Sequence, residues 1–147
     1  MVTELSRTNY LEWVGRPLGT GKPRRIEQSD VDQFARLSGD EQWIHVDPAR
    51  AQASPFGATL VHGLFVLSLV PSWISDVARV VDAESILAVG YDDVRFLSPV
   101  CVPSTLQARV SLTRAQDGGQ RLRTWWGVEV SDEHDDLVAT ATAIAQW

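Results

Sequence analysis

Polar and apolar positions change rhythm along this chain at about residue 82. Upstream, apolar residues recur at helical spacing. Val31, Phe34 and Leu37 stand three apart and predict a helix with one buried face. Ser29 or Asp30 can cap its start, and Ser38-Gly39 ends it. Asp47-Pro48 reads as a second helix start, with Asp at the cap and Pro at the first helical position, running through Arg50 to Ala53. Pro55-Phe56-Gly57 breaks it. From about Val61 to Val80 the chain is apolar nearly all round, the mark of a helix enclosed by other structure. Pro71 should kink that helix or lift one turn. Nearer the N-terminus, residues 9–16 predict a short helix or turn, Pro17 to Lys22 a Gly/Pro-rich loop, and Arg24 to Gln28 a short strand.

Downstream the period becomes two. Ser85–Val89 and Asp93–Phe96 predict one strand bent around Gly90, and Leu106–Leu112 alternates as a half-buried strand does. Asp117-Gly118-Gly119 is a hairpin signal. Arg121–Val130 alternates less cleanly, with Trp125 and Trp126 on opposite faces of its strand, and the Ala/Thr/Val-rich Leu137–Ile144 predicts a final strand. Helices first and antiparallel strands second give an α+β class. The simplest packing is an antiparallel sheet wrapped around a long central apolar helix. There is no internal repeat, low-complexity tract or linker, so residues 1–147 read as a single domain.

Composition narrows the function classes. The chain of 147 residues is 44% hydrophobic and 22% charged, an ordinary globular balance that suits one sizeable core. A net charge of −6 argues against nucleic-acid binding, which needs a basic face. Of 13 basic residues only Lys22 is a lysine. That bias fits phosphate contacts and fits a GC-rich genome equally well. Cys101 is the only cysteine, which points to a reducing, cytoplasmic compartment, and its flanking valines predict a buried, inert thiol on a strand. The N-terminus carries no secretory pattern. The longest apolar run, Leu60 to Ile74, is interrupted by His62, Gly63, Ser68 and Pro71 and is too short and too polar to span a bilayer, so no membrane partner is expected.

Candidate chemistry concentrates between residues 38 and 63. Asp40 and His45 are five apart, about 140° on a helix, so they would not share a helical face. Gly39 favours an irregular segment, on which the two side chains can converge and hold a water for proton transfer. The plainer reading is an Asp that caps a turn and a His satisfied in the core. His62-Gly63 opens the long helix. A glycine N–H there meets developing negative charge with a fixed dipole, and glycine also permits tight helix packing. His62 is read as structural, the alternative being a supporting role beside the site. His45-Val46-Asp47 and His134-Asp135-Asp136 lack a third cluster at ligand spacing, so no metal is expected, and His134 reads as part of a solvated turn. No Gly-x-Ser-x-Gly motif is present.

Ser38-Gly39-Asp40, Ile44-His45-Val46-Asp47-Pro48, Pro55-Phe56-Gly57 and His62-Gly63 together resemble the signature of the MaoC-like, R-specific enoyl-CoA hydratases, Ser/Thr-Gly-Asp-x-Asn-Pro-x-His-x-Asp with a later His-Gly. Val94-Arg95-Phe96 and Pro99-Val100 add weaker support. The resemblance implies a hot-dog fold, a homodimer, and a lyase of fatty acid metabolism that hydrates an enoyl-CoA or acyl-carrier thioester or dehydrates the 3-hydroxyacyl thioester. It implies Asp40 and His45 as the catalytic pair and the Gly63 N–H as the thioester oxygen's partner. No cofactor is implied, because the thioester itself acidifies the α-carbon. Departures are Gln42-Trp43 for Asn-Pro, Pro103-Ser104 where a glycine is usual, and no Asn in Leu87–Tyr91. Trp43 is expected to shape the acyl pocket, and the other changes to alter its outline. An acyl thioesterase, or a non-catalytic acyl-thioester binding subunit, is the alternative function.

Overall fold

The alternating second half of the chain builds the sheet onto which everything else packs. In this computed structural model, which describes residues 1–147, the long strands are β5 (Leu87–Phe96), β6 (Ser104–Asp117), β7 (Leu122–Ser131) and β8 (Leu137–Gln146). Leu106, Ala108, Val110 and Leu112 point inward from β6, and Trp126, Val128 and Val130 from β7. Their period of two gives the sheet one apolar face. The antiparallel order is β2-β6-β7-β8-β5, with β2 (Arg16–Thr20) at one edge and β3 (Arg24–Ile26) also paired to β6. A small parallel pair joins β1 (Thr3–Leu5) to β4 (Ala78–Val80).

Several boundaries differ from the expectation, each for a local reason. Residues 17–22 are not all loop. Pro17 and Gly19 lie in edge strand β2 across a register shift, and an edge tolerates proline because one side of the strand needs no donor. Helix α1 (Gln28–Ser38) starts ahead of Ser29, because Asp30 accepts the Glu27 N–H at 2.9 Å and closes the first turn from inside. Gly39 ends it in the left-handed region at φ 80°, with its N–H on the Ala35 carbonyl. His45 sits not on an irregular segment but on a one-turn helix, α2 (Trp43–Val46). Asp47 then caps α3 (Pro48–Gln52), accepting the Arg50 N–H at 3.0 Å.

The long apolar helix is two helices. α4 (Gly63–Ser68) and α5 (Val70–Val77) meet at Leu69, and Pro71 stands in the first turn of the second. Its missing N–H breaks the ladder there, and the junction closes through shorter Leu69-to-Val66 and Ser72-to-Leu69 bonds. The chain then leaves the helix into β4, short of Val80. Val70, Trp73 and Val77 on α5 are enclosed against the sheet. Trp73 is fully buried and donates its ring N–H to the Lys22 carbonyl at 3.1 Å. Cys101 is exposed rather than buried. Val100 takes the inward position, so its neighbour must point out. Trp125 and Trp126 face opposite ways, as expected; the buried one is Trp126, while Trp125 faces outward beneath the Arg114 guanidinium.

Truncating Trp73 to alanine should cost about 3–5 kcal/mol in urea unfolding, the range for an enclosed aromatic that leaves a cavity. A loss below about 1 kcal/mol would mean that the helix–sheet contact is not the core.

Candidate active site

Three backbone segments meet where α4 begins. Residues 59–61 run as an extended piece between α2 and the segment leading into β6. Leu60 N–H donates to Ile44 O at 2.8 Å, Val61 N–H to Val100 O at 2.8 Å, and Val102 N–H to Thr59 O at 2.8 Å. Gln28, the first residue of α1, ties the same pieces together. Its amide donates to His45 O at 2.7 Å and to Asp32 Oδ1 at 2.9 Å, and its carbonyl accepts the Thr59 hydroxyl.

That frame carries a buried imidazole. His45 Nδ1 lies 2.7 Å from the Leu60 carbonyl. A carbonyl only accepts, so in neutral His45 the proton is on Nδ1 and Nε2 keeps its lone pair. Nε2 faces Asp40 Oδ2 at 3.8 Å. The structure therefore brings together the two residues the sequence singled out. Their separation exceeds a direct hydrogen bond, and a water about 2.8 Å from each atom would sit at the apex of a triangle on that base. The Asp40 side chain is 43% exposed, so it remains open to water, whereas His45 is buried. Gln42 donates to Asp40 Oδ1 at 3.3 Å, leaving Oδ2 for the site.

Gly63, the other expected site residue, is the first residue of α4, so its N–H has no partner inside the helix. A Cβ at that position would come within 2.8 Å of the Phe96 ring. His45, Gly63, Val66, Phe96, Pro99 and Ala139 line a cavity of about 280 Å³. Trp43 does not line it. The Trp43 indole instead lies beneath the Arg50 guanidinium, 4.3 Å from the ring centroid, and clamps α2 to α3. Pro103 and Ser104 also stand apart from this cavity. Ser104 donates to Glu133 at 2.7 Å. The Glu133 backbone N–H, the Ser104 hydroxyl and the Thr105 N–H hold the Glu133 carboxyl below its ordinary range.

His62, Phe96, Gln28 and the Leu60 carbonyl are parts of the site that sequence reasoning left out or assigned to structure. Phe96 had a signal in its Val-Arg-Phe motif. Gln28 had none, because its partners are 17 and 31 residues away. Ligand atoms of Asp40, His45 and His62 lie within 4.8 Å of one another. The two imidazoles, however, are stacked at 3.7 Å with 21° between planes. Their in-plane lone pairs therefore lie in two nearly parallel, separate planes, an arrangement poorly shaped to share one ion.

Two further apolar hollows lie along β8. Ala139 and Ala141 border a small one of about 10 Å³ with Val66, Val70 and Phe96. Ile74, Tyr91, Trp126 and Ala143 line a separate cavity of about 240 Å³. Burial raises the Tyr91 phenol above its ordinary value, so it stays neutral there.

The sequence matches a family described as the MaoC like domain over residues 10–134. The 3-hydroxyacyl-thioester dehydratase Z of Mycobacterium tuberculosis is 40% identical over 105 residues, 71% of this chain and 70% of that protein. Among solved structures, the monoamine oxidase regulatory protein of Archaeoglobus fulgidus superposes with a TM-score of 0.77 at 29% identity, covering 90% of this chain and 88% of that one. R-hydratase PhaJ1 of Pseudomonas aeruginosa superposes with a TM-score of 0.73 at 22% identity, covering 91% and 84%. These neighbours share the sheet wrapped around a helix, the hot-dog architecture.

Because Trp43 braces α2 and does not line the cavity, Trp43→Ala should lower kcat by loosening His45 while leaving acyl-length preference unchanged. A shift toward longer acyl chains in a substrate panel would instead assign Trp43 to the pocket wall.

Proposed function

The chain belongs to the MaoC-like family, and on that premise we propose that it is a hydro-lyase that adds water across the double bond of a 2-enoyl thioester, or removes it from the 3-hydroxyacyl thioester. The observation that carries this reading is that His45, whose Nε2 lone pair faces the Asp40 carboxylate at 3.8 Å, lines one apolar cavity together with Gly63, whose N–H has no partner inside its helix.

The chemistry follows from their placement. A water on the Asp40–His45 base donates one hydrogen to Oδ2 and one to Nε2. Its oxygen attacks the β-carbon as the pair takes a proton, and the electron pair of the double bond moves toward the thioester oxygen. The Gly63 N–H meets that oxygen, and a positioned donor of this kind is worth about 10²–10³ in rate. The pair then returns its proton to the α-carbon. Phe96 packs over Gly63 so closely that a Cβ there would meet its ring at 2.8 Å. The acyl chain points along the alanine face of β8, toward Ala139 and Ala141. The carrier is coenzyme A or an acyl-carrier protein.

The active unit in this reading is a homodimer. Strand β5 ends the sheet with an unpaired edge, and Leu87, Val89 and Phe96 on it are 48%, 44% and 50% exposed. Such an edge is normally covered, and Phe96 also walls the cavity, so a partner there would complete the site. The exposed Cys101 thiol fits a reducing compartment and supports the cytoplasm as the place of action.

Asp40→Asn and His45→Gln should each lower kcat/KM on a short enoyl-CoA by about 10²–10⁴-fold, the range for a positioned acid–base group, with unfolding midpoints close to wild type. Near-normal turnover in either variant removes that residue from the mechanism. In sedimentation velocity at micromolar concentration the protein should run as a dimer; a monomer alone would contradict the proposed assembly.

A further inference from the structure

His62 is 2% exposed and lies between two aromatic neighbours. Its ring stacks on His45 at 3.7 Å and tilts against Phe34 at 5.0 Å, and Phe34 in turn stacks on Phe65 at 5.1 Å. Its Nε2 lies 2.9 Å from the Asp40 backbone carbonyl. The carbonyl only accepts, so Nε2 carries the proton and Nδ1 is left with a lone pair. That Nδ1 is buried and has no hydrogen-bond partner. A buried, unpaired polar atom costs stability. At a position already surrounded by aromatic rings, a phenylalanine would fill the space without that cost. A residue present only for packing would not be expected to be histidine here.

What histidine supplies is a link to both members of the pair. Through Nε2–H it holds the backbone of Asp40, which otherwise sits in a half-exposed turn after Gly39. Through its face it sets the tilt of His45. The Nδ1 bond to Leu60 holds one edge of the His45 ring, and the stack supports its face, so that together they keep Nε2 toward Asp40. We propose that His62 is a positioning residue that fixes the Asp40 carboxylate and the His45 ring relative to each other from the buried side. This rests on the hydratase reading for its effect on turnover, though the geometry it asserts can be checked without substrate.

Two measurements test it. In ¹⁵N-labelled wild-type protein without substrate, neutral His62 should be the Nε2–H tautomer and neutral His45 the Nδ1–H tautomer. The opposite tautomer at either ring overturns the proposal. Next, His62→Phe keeps an aromatic ring but removes the donor, whereas His62→Gln keeps an N–H donor at similar reach but removes the ring. For a packing residue, activity would track stability across the two. For a positioning residue the orders cross. The Phe variant should unfold at or above the wild-type temperature with kcat lowered on the order of 10²-fold, the cost of a misplaced catalytic group, and KM within about threefold of wild type. The Gln variant should unfold earlier yet retain more kcat than the Phe variant. Should the larger ring prevent folding, His62→Leu takes its place in the same comparison, because it also lacks a donor. Wild-type kcat in the Phe or Leu variant, or kcat that follows thermal stability, overturns the proposal. A wild-type protein that turns over no enoyl thioester refutes the hydratase reading instead, and the tautomer result then decides the role of His62.

Discussion

The site depends on one buried hydrogen bond, from His45 Nδ1–H to the Leu60 carbonyl at 2.7 Å. It selects the tautomer whose free lone pair faces Asp40, the form that the proposed proton-accepting role of His45 requires. The bond is only as rigid as Leu60, which pairs with Cys101 and donates to Ile44. Through that pairing the segment leading into β6 is coupled to the imidazole. The sheet and the helix pair therefore serve the same end. They hold a short extended segment so that one carbonyl stands where the chemistry needs it.

Stability and function pull apart at a few positions. The unpaired Nδ1 of His62, the exposed apolar residues of β5 and the glycine at the start of α4 each cost the isolated chain something. Gly63 and Phe96 of β5 line the cavity that His45 borders, and His62 stacks on the His45 ring. The enclosed positions of the core carry no such conflict. Trp73, Leu106 and Leu112 are fully buried, and the Trp73 ring N–H is paired.

How much was legible in the sequence depended on how local the cause was. The alternation in β6, the Asp47-Pro48 helix start and the break at Pro71 are set by neighbouring residues, and all three stand in the structure. The starts of α1 and β2 were missed because the causes are a reciprocal side-chain bond from Asp30 and pairing with a strand about 90 residues away. In the site, the approach of Asp40 to His45 was readable from the resemblance of their segment to a family signature, not from their spacing alone. The packing of Trp43 was not, because its neighbour Arg50 lies across a helix boundary, on α3. His62 read as structural because only the three-dimensional arrangement reveals a stacked ring with an unpaired nitrogen. Cys101 was misread because the strand signal did not say which of its faces turned inward.

The most direct test of water addition at this site uses isotopic water. Incubated with a short 2-enoyl-CoA in H₂¹⁸O, the protein should yield an intact 3-hydroxyacyl thioester carrying one ¹⁸O at the β-carbon, seen by mass spectrometry. A free carboxylic acid labelled at the carboxyl group, with release of thiol, would mean attack on the carbonyl instead. Unlabelled, unchanged substrate that binds without turnover would contradict the catalytic account altogether.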